Sequence, residues 1–191
     1  MIGEPLAAEV RVPEPKVPFD PRFYVCYRAS KPPMIDGRLD DASWKKAEWT
    51  ESFGDMEGPG RPRPRFRTRV KMLWDAAYFY VAADLEEPNV WATYRERDSV
   101  LFEENNFEVF IDPDGDTHNY CELEINALNT IWDLLLIRPY RDRDDGPAAV
   151  NAWDIPGLRS AIAVNGTING PKDKDKGWTV ELALPWDALR E

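Results

Sequence analysis

Apolar and polar residues alternate most clearly between Phe66 and Trp74. The even positions of this segment carry Phe, Thr, Val, Met and Trp, whereas the odd positions from 65 to 71 carry Arg or Lys. A period of two residues is typical of a half-buried β-strand, so the pattern predicts a strand here. A tight turn is predicted at 75–76, and the aromatic and β-branched run at 78–83 predicts an antiparallel partner strand.

Five further segments have the composition of short strands. Residues 107–111 run into a turn at 112–116, which contains Pro and Gly. Strands are also predicted at 131–137, 158–168 and 178–184. Residues 120–126 alternate strictly, which predicts one face toward the core and one toward solvent: Cys121, Leu123 and Ile125 inward, and Glu122, Glu124 and Asn126 outward.

Helical signals are few. Residues 41–47 predict two turns of helix capped by Asp41, and residues 185–189 carry Pro at the position favoured for a helix start. Many short strands with few helices predict an all-β fold. We expect an antiparallel β-sandwich, with jelly-roll or immunoglobulin-like layers and one or two short helices.

Residues 1–22 are rich in Pro and lack periodicity, which predicts an extended arm or linker. Residues 23–191 are long enough for one domain. The sequence contains no apolar run long enough to span a membrane. The N-terminus lacks a basic start followed by an apolar stretch, so no secretory signal is recognised and the compartment stays open.

The net charge of the chain argues against nucleic acid as a partner. A formal net charge of -11 opposes extended contact with nucleic acid, which needs clustered Lys and Arg. The basic residues from Arg61 to Lys71 alternate with Pro and apolar residues, which indicates a solvated face of an extended segment. Cys26 and Cys121 permit at most one disulfide, and the pattern favours two small buried hydrophobes.

Five motifs occur in an order that resembles family 9 carbohydrate-binding modules. They are Ile35-Asp-Gly with Leu39-Asp-Asp and Trp44; Val70 to Asp75 with Tyr78 to Val81; Glu108-Val-Phe-Ile-Asp-Pro113; the strand 120–126; and Gly177 to Trp186. The resemblance implies an antiparallel β-sandwich that binds mono- or polysaccharide without cleaving it. It also implies structural calcium, polysaccharide degradation by an associated glycoside hydrolase, and an extracellular or periplasmic setting.

Family members that grip sugar do so between two aromatic rings. The resemblance places Phe102 at the first ring position, where such members typically have Trp. The second ring belongs to strands that follow the Pro-Trp segment, so the resemblance implies a module whose C-terminal strands are missing. A sandwich without its last strands leaves an unpaired edge, which predicts a partner that covers it or marginal solubility.

The candidate sugar site combines an aromatic ring with polar side chains, because a sugar has an apolar face and a rim of hydroxyls. Phe102 lies beside Glu104 and Asn105 in a polar stretch, and it either stacks on sugar or anchors the loop to the core. Trp91 is a second aromatic candidate. The row Glu122, Glu124 and Asn126 either touches the sugar or forms a solvated sheet face.

Two other functions remain as alternatives. The first is a structural or protein-interaction sandwich that has lost sugar binding, in which Phe102 would be buried. The second is a glycoside hydrolase that uses Glu122 and Glu124, whose spacing along a strand is about 6.8 Å. Adjacent carboxylates on one flat strand do not flank a scissile bond from opposite sides, so the pattern favours a binding module.

Acidic residues also suggest a metal site. Asp112, Asp114 and Asp116 form a D-x-D-x-D run with Gly115 at the bend, and carboxylate oxygens are the ligands that calcium prefers. The run lacks the Glu of an EF-hand loop, and an Asp-rich hairpin turn is the alternative. We predict structural calcium at this run.

Overall fold

The structure is a computed structural model that describes residues 21–142 and 146–190. Nearly all of the predicted arm at 1–22 lies outside the described residues. The strands are β1 Tyr27–Arg28, β2 Thr68–Trp74, β3 Tyr78–Glu86, β4 Asn106–Ile111, β5 Tyr120–Asn126, β6 Ile131–Leu136, β7 Ala149–Val150, β8 Arg159–Asn165 and β9 Gly177–Pro185. Helix α1 spans Ala42–Lys46, and 3-10 helices span Leu101–Glu103 and Trp186–Leu189.

The strands form two sheets that pack as a β-sandwich, which confirms the predicted fold class. The five-stranded sheet has the order β1-β2-β3-β9-β8, and the four-stranded sheet has the order β4-β5-β6-β7. All pairs are antiparallel except β1 with β2. The chain leaves the first sheet after β3, forms the whole second sheet as a meander, and returns through β8 and β9.

The core lies between the two sheets and follows the predicted alternation. Val81 and Leu182 point inward from the five-stranded sheet, and Phe107, Leu123 and Ile125 point inward from the other. Leu123, Ile125 and Leu182 are fully buried. Burying apolar side chains of this size contributes about 1.5–3 kcal/mol each, so this layer is the main stabilising feature of the fold.

A second apolar layer covers the outer face of the five-stranded sheet. Trp44 and Ala47 pack there against Leu73 and Tyr80. Lys71 is buried beneath this layer, and its Nζ donates to the Trp44 carbonyl at 2.7 Å. The prediction of a solvated basic face on this strand is therefore wrong at Lys71, because residues 44–53 fold back over it.

Local details differ from the sequence predictions in three places. The Asp41 side chain does not cap α1; its Oδ2 accepts the backbone N–H of Met34 at 3.0 Å. The second predicted helix is a short 3-10 helix. Cys26 and Cys121 are both free thiols. Both were predicted to be buried, and the structure buries Cys121 but leaves Cys26 only partly buried.

No helix within the described ranges is both long enough and apolar enough to cross a membrane.

Candidate functional site

The outer face of the four-stranded sheet carries a row of carboxyl groups flanked by aromatic rings. Strand pairing sets Glu108 opposite Glu124 and Phe110 opposite Glu122. The next pairing sets Trp132 opposite Glu124. Because directly opposed residues project from the same side of a sheet, these five side chains share one surface, which we call the acidic face.

The row on β5 is buried, and the prediction that it points to solvent is wrong. Glu122, Glu124 and Asn126 are 4%, 1% and 0% exposed. Part of the cover is an apolar layer in which Leu101 packs against Trp132 on this outer side of the sheet. Sequence alternation identifies a second face of a strand, but it does not reveal that a loop covers that face.

Hydrogen bonds hold the two buried glutamates in place. The Tyr140 hydroxyl donates to Glu122 Oε2 at 2.5 Å. The Asn106 amide donates to Glu124 Oε2 at 2.7 Å. Burial, followed by the nearby charges of Glu108 and Glu122, raises the pKa of Glu124 to about 8. Burial also raises the pKa of Glu122, in spite of the Tyr140 hydrogen bond.

The buried glutamates carry no balancing cation from the rest of the described chain. Glu108, Glu122 and Glu124 take part in none of the ion pairs that join described residues. Among the described residues, the charges that act on Glu122 and Glu124 are other carboxylates, and they add to the effect of burial. Glu108, in contrast, is exposed to solvent.

The Asn126 side chain is fully used in hydrogen bonds within the protein. Its amide donates to the Tyr94 carbonyl at 2.9 Å and to Glu104 Oε1 at 2.8 Å. Its carbonyl oxygen accepts the backbone N–H groups of Leu128 and Thr130, each at 3.0 Å. These four bonds use the hydrogen-bonding groups of the side chain, so Asn126 supports the face without reaching a ligand.

Glu104 is likewise engaged within the protein. Its Oε2 accepts the backbone N–H of Thr93 at 2.7 Å and the Thr93 hydroxyl at 2.8 Å. Partial burial acts to raise its pKa, but the donors from Thr93, Asn126 and Tyr94 outweigh burial and lower it. Glu104 is thus an ionised carboxylate that joins Thr93 to Asn126 at the end of β5.

Phe102 lies on the 3-10 helix Leu101–Glu103 and faces solvent. Its ring is 63% exposed, and its neighbour Leu101 is the residue that anchors this helix in the apolar layer. The Phe102 ring lies 5.8 Å from the Trp132 ring at an interplanar angle of 36°. The interpretation of Phe102 as a buried anchor is therefore wrong, and its open ring face is accessible to a ligand.

Asn105 and Trp91 are both exposed to solvent. Asn105 donates to Glu87 and lines an open cleft of about 580 Å³ beside Phe66 and Trp178. Trp91 is 48% exposed in a neighbouring loop. Glu104 and Asn105 thus line the cleft, whereas Phe102 contacts Trp132 of the acidic face.

Four residues of this surface were missed by sequence reasoning: Glu108, Phe110, Trp132 and Tyr140. Phe110 is 51% exposed and Tyr140 is 57% exposed. The hairpin between β4 and β5 contained a usable signal, because its register places residues 108 and 110 on the same side as 122 and 124. No pattern in the sequence indicates Tyr140, since it reaches Glu122 from a loop after β6.

The predicted metal run forms a compact acidic turn. Ligand atoms of Asp112, Asp114 and Asp116 lie within 4.8 Å of one another. The same carboxylates accept backbone N–H groups of the turn: Asp112 from Gly115 and Thr117, Asp114 from Asp116, and Asp116 from His118. The oxygen donors suit calcium, which stays a prediction.

Another acidic cluster already has a cation. Asp98, Asp133 and Asp154 also bring ligand atoms within 4.8 Å. The Arg97 guanidinium donates to Asp133, and it lies 2.8 Å from Asp154. Because this guanidinium balances the carboxylates, the cluster serves as a structural ion-pair network.

Comparison with known proteins identifies relatives of the chain. The profile of the family described as "Carbohydrate family 9 binding domain-like" matches residues 35–191. Exoglucanase XynX of Acetivibrio thermocellus is 27% identical over 158 residues, covering 82% of this chain and 12% of the exoglucanase. Endo-1,4-beta-xylanase A of Thermoanaerobacterium saccharolyticum is 26% identical over 158 residues, covering 82% of this chain and 11% of the xylanase.

Solved structures share the fold at low identity. A family 9 carbohydrate-binding module from Caldicellulosiruptor kristjanssonii in complex with cellotriose superposes with a TM-score of 0.53 at 18% identity, covering 84% of this chain and 66% of the module. Its glucose complex gives 0.54 at 18% identity, covering 86% and 70%. A putative carbohydrate-binding protein from Bacteroides uniformis gives 0.61 at 14% identity, covering 87% and 73%.

Proposed function

The chain belongs to the carbohydrate family 9 binding domain-like family, and on that premise we propose that it binds saccharides without cleaving them. The observation that carries the proposal is the acidic face, where exposed aromatic rings border a row of carboxyl groups. Phe102 lies at the Glu124 end of this row through its contact with Trp132. Phe110 and Tyr140 lie at the Glu122 end.

This arrangement matches both surfaces of a pyranose ring. The apolar face of the sugar can stack on an exposed ring such as Phe102 or Tyr140. Carboxylate oxygens accept hydrogen bonds from sugar hydroxyls, and bonds to charged acceptors are the stronger kind. Glu108 is the exposed member of the row and is the direct polar contact, while Glu122 and Glu124 shape the surface behind it.

The same geometry favours binding over hydrolysis. A glycosidase places its two carboxyl groups on opposite sides of the scissile bond. Glu108, Glu122 and Glu124 all project from one side of one sheet, and the latter two are almost completely buried. A saccharide that lies on this surface meets carboxyl groups from one side only.

We extend the proposal to ligand and setting. The named relatives are an exoglucanase and a xylanase, and the matched modules were solved with cellotriose and glucose. Glucose and short β-1,4-linked glucans or xylans are therefore the first ligands to test. The match covers only 12% and 11% of those enzymes, so their activity does not pass to this chain. We propose instead that the chain acts beside a glycoside hydrolase in an extracellular setting.

Isothermal titration with glucose, cellotriose and xylotriose tests the proposal. We expect saturable heat with at least one of them, weakened in Phe102→Ala, and no release of reducing sugar from the matching polysaccharide. The absence of heat with all three ligands, in protein whose circular dichroism is that of a folded β-protein, would contradict saccharide binding. Reducing-sugar release that disappears in Glu122→Gln would instead indicate a hydrolase.

A further inference from the structure

The acidic face carries three carboxyl groups on one side of the sheet. Glu108, Glu122 and Glu124 neighbour one another across β4 and β5, and they form no ion pair with another described residue. Under the proposed function the saccharide lies on this surface because exposed aromatic rings border it, a reason that is independent of its charge. The charge therefore bears on which saccharide it takes.

We propose that the acidic face prefers saccharides that carry a protonated amino group, such as β-1,4-linked glucosamine, over neutral and acidic saccharides. This inference rests on the proposed function and specifies its ligand class. The ammonium group lies against Glu108, the exposed carboxylate, while the sugar ring stacks on the neighbouring aromatic side chains. An acidic sugar is rejected because its carboxylate meets carboxylates that form no ion pair with another described residue.

The buried pair behind Glu108 increases this preference. Glu124 holds a proton near neutral pH because burial and the charges of Glu108 and Glu122 raise its pKa to about 8. An ammonium group on the acidic face opposes that effect and favours the ionised form of Glu124. Binding of an amino sugar is then coupled to proton release, whereas binding of a neutral sugar is not.

The size of the effect follows from Coulomb's law. A single pair of unit charges about 4 Å apart in water gains about 1 kcal/mol, which corresponds to about fivefold in affinity. Because Glu108 is exposed, this value is the upper end of the range for such a pair. We therefore expect a preference of up to about fivefold for the amino sugar at low ionic strength.

Three trimers with the same β-1,4-linked backbone isolate the effect of charge: glucosamine trimer, cellotriose and glucuronate trimer. Each is titrated calorimetrically below the pKa of the sugar amine, at low salt and at about 1 M salt, where the Debye length falls to about 3 Å. The expected order is glucosamine trimer tightest and glucuronate trimer weakest, with the differences reduced at high salt.

Two isosteric variants locate the effect. Glu108→Gln removes the exposed charge from the acidic face, and Glu51→Gln removes an exposed charge from the segment that lies along the other sheet. We expect the ratio of affinities for glucosamine trimer and cellotriose to fall toward unity in Glu108→Gln and to stay unchanged in Glu51→Gln. An unchanged ratio in Glu108→Gln would overturn the placement of the ammonium group.

The outcomes separate this inference from the proposed function. Cellotriose bound as tightly as glucosamine trimer, or more tightly, overturns the charge preference and leaves saccharide binding in place. No binding of any of the three trimers by folded protein overturns both.

Discussion

The indole N–H of Trp44 donates a hydrogen bond of 2.6 Å to Oε1 of Glu181, and both side chains are fully buried. The other oxygen, Oε2, accepts the backbone N–H groups of Asp36 at 3.0 Å and Gly37 at 2.7 Å. One carboxylate on β9 thereby fastens the N-terminal covering segment to the outer face of the five-stranded sheet. The first and last of the five sequence motifs are therefore in direct contact, through Glu181.

Replacing Glu181 with Ala is expected to destabilise the fold strongly. The substitution leaves three N–H groups without their acceptor, and each unsatisfied buried group costs about 1–3 kcal/mol. We therefore expect the free energy of unfolding to fall by at least about 3 kcal/mol, measured by urea denaturation. Glu51→Ala, at an exposed carboxylate, serves as the control and is expected to change it by less than about 0.5 kcal/mol. Equal effects in the two variants would contradict the fastening role.

Gly37 tests the same attachment through the backbone. Its φ of 84° lies in the left-handed region, and a Cβ at this position would lie 2.5 Å from the Ile162 carbonyl carbon. Gly37→Ala is expected to lower the melting temperature, because the left-handed strain alone costs about 1–3 kcal/mol. Gly60→Ala is the matched control, since nothing lies within 4 Å of a Cβ there. A Gly37→Ala protein as stable as this control would contradict the close approach.

The sandwich could be predicted from sequence because alternation is a local signal. The strand at 120–126 was predicted with the observed bounds, and the strands β2, β3 and β9 were predicted with ends that differ by a few residues. The two-residue strands β1 and β7 were missed, because strands of this length exist only through pairing with a neighbour. Local sequence carries no signal for such pairing.

The candidate site was harder to predict, because it depends on which loops cover the sheet. Phe102 is exposed, as the hypothesis of a stacking ring requires, but the ring that it contacts, Trp132, comes from another strand. Glu122 and Glu124 were predicted to be exposed, whereas the structure buries both. Tyr140 contacts Glu122, and Leu101 packs against Trp132 on the same side of the sheet. Contacts between residues that are distant in sequence decide exposure, and periodicity alone does not encode those contacts.

Glu124 is expected to make stability depend on pH. Its pKa is raised from 4.5 to about 8 in the folded protein. Between these values the folded state holds a proton that the unfolded chain releases, so the contribution of Glu124 to stability is largest below about pH 4.5 and is lost as the pH rises toward 8. Glu124→Gln mimics the protonated side chain, and it should flatten this decline in urea unfolding between about pH 5 and about pH 9.

Glu51→Gln is the control for that measurement, since it removes a carboxyl group from an exposed position. It should keep the wild-type pH profile. A Glu124→Gln profile as steep as that of the wild type would show that Glu124 is ionised in the folded protein at neutral pH.

Calcium binding at the acidic turn predicts a metal-dependent melting temperature. A ligand that binds only the folded state stabilises it by about 2.7 kcal/mol at a hundred times its dissociation constant. We expect calcium added to chelator-treated protein to raise the melting temperature, and Asp114→Asn to reduce that rise. Asn at 114 can still accept the Asp116 N–H, so the turn itself is preserved. If calcium does not raise the melting temperature of the wild type, or raises that of the variant equally, calcium does not bind at this run and the run is only an Asp-rich turn.

The exposed ring of Phe102 gives the sharpest test of sugar stacking. Removing it in Phe102→Ala should cost about 0.5–1.5 kcal/mol of binding energy, which is about two- to tenfold in affinity for whichever trimer binds. The melting temperature should change little, because the ring is 63% exposed. Phe23→Ala removes a ring that is even more exposed, at 92%, and that precedes β1 at the edge of the other sheet; this variant should bind as the wild type does. If the two variants have the same affinity, Phe102 is not a stacking platform and the ligand lies elsewhere on the sandwich.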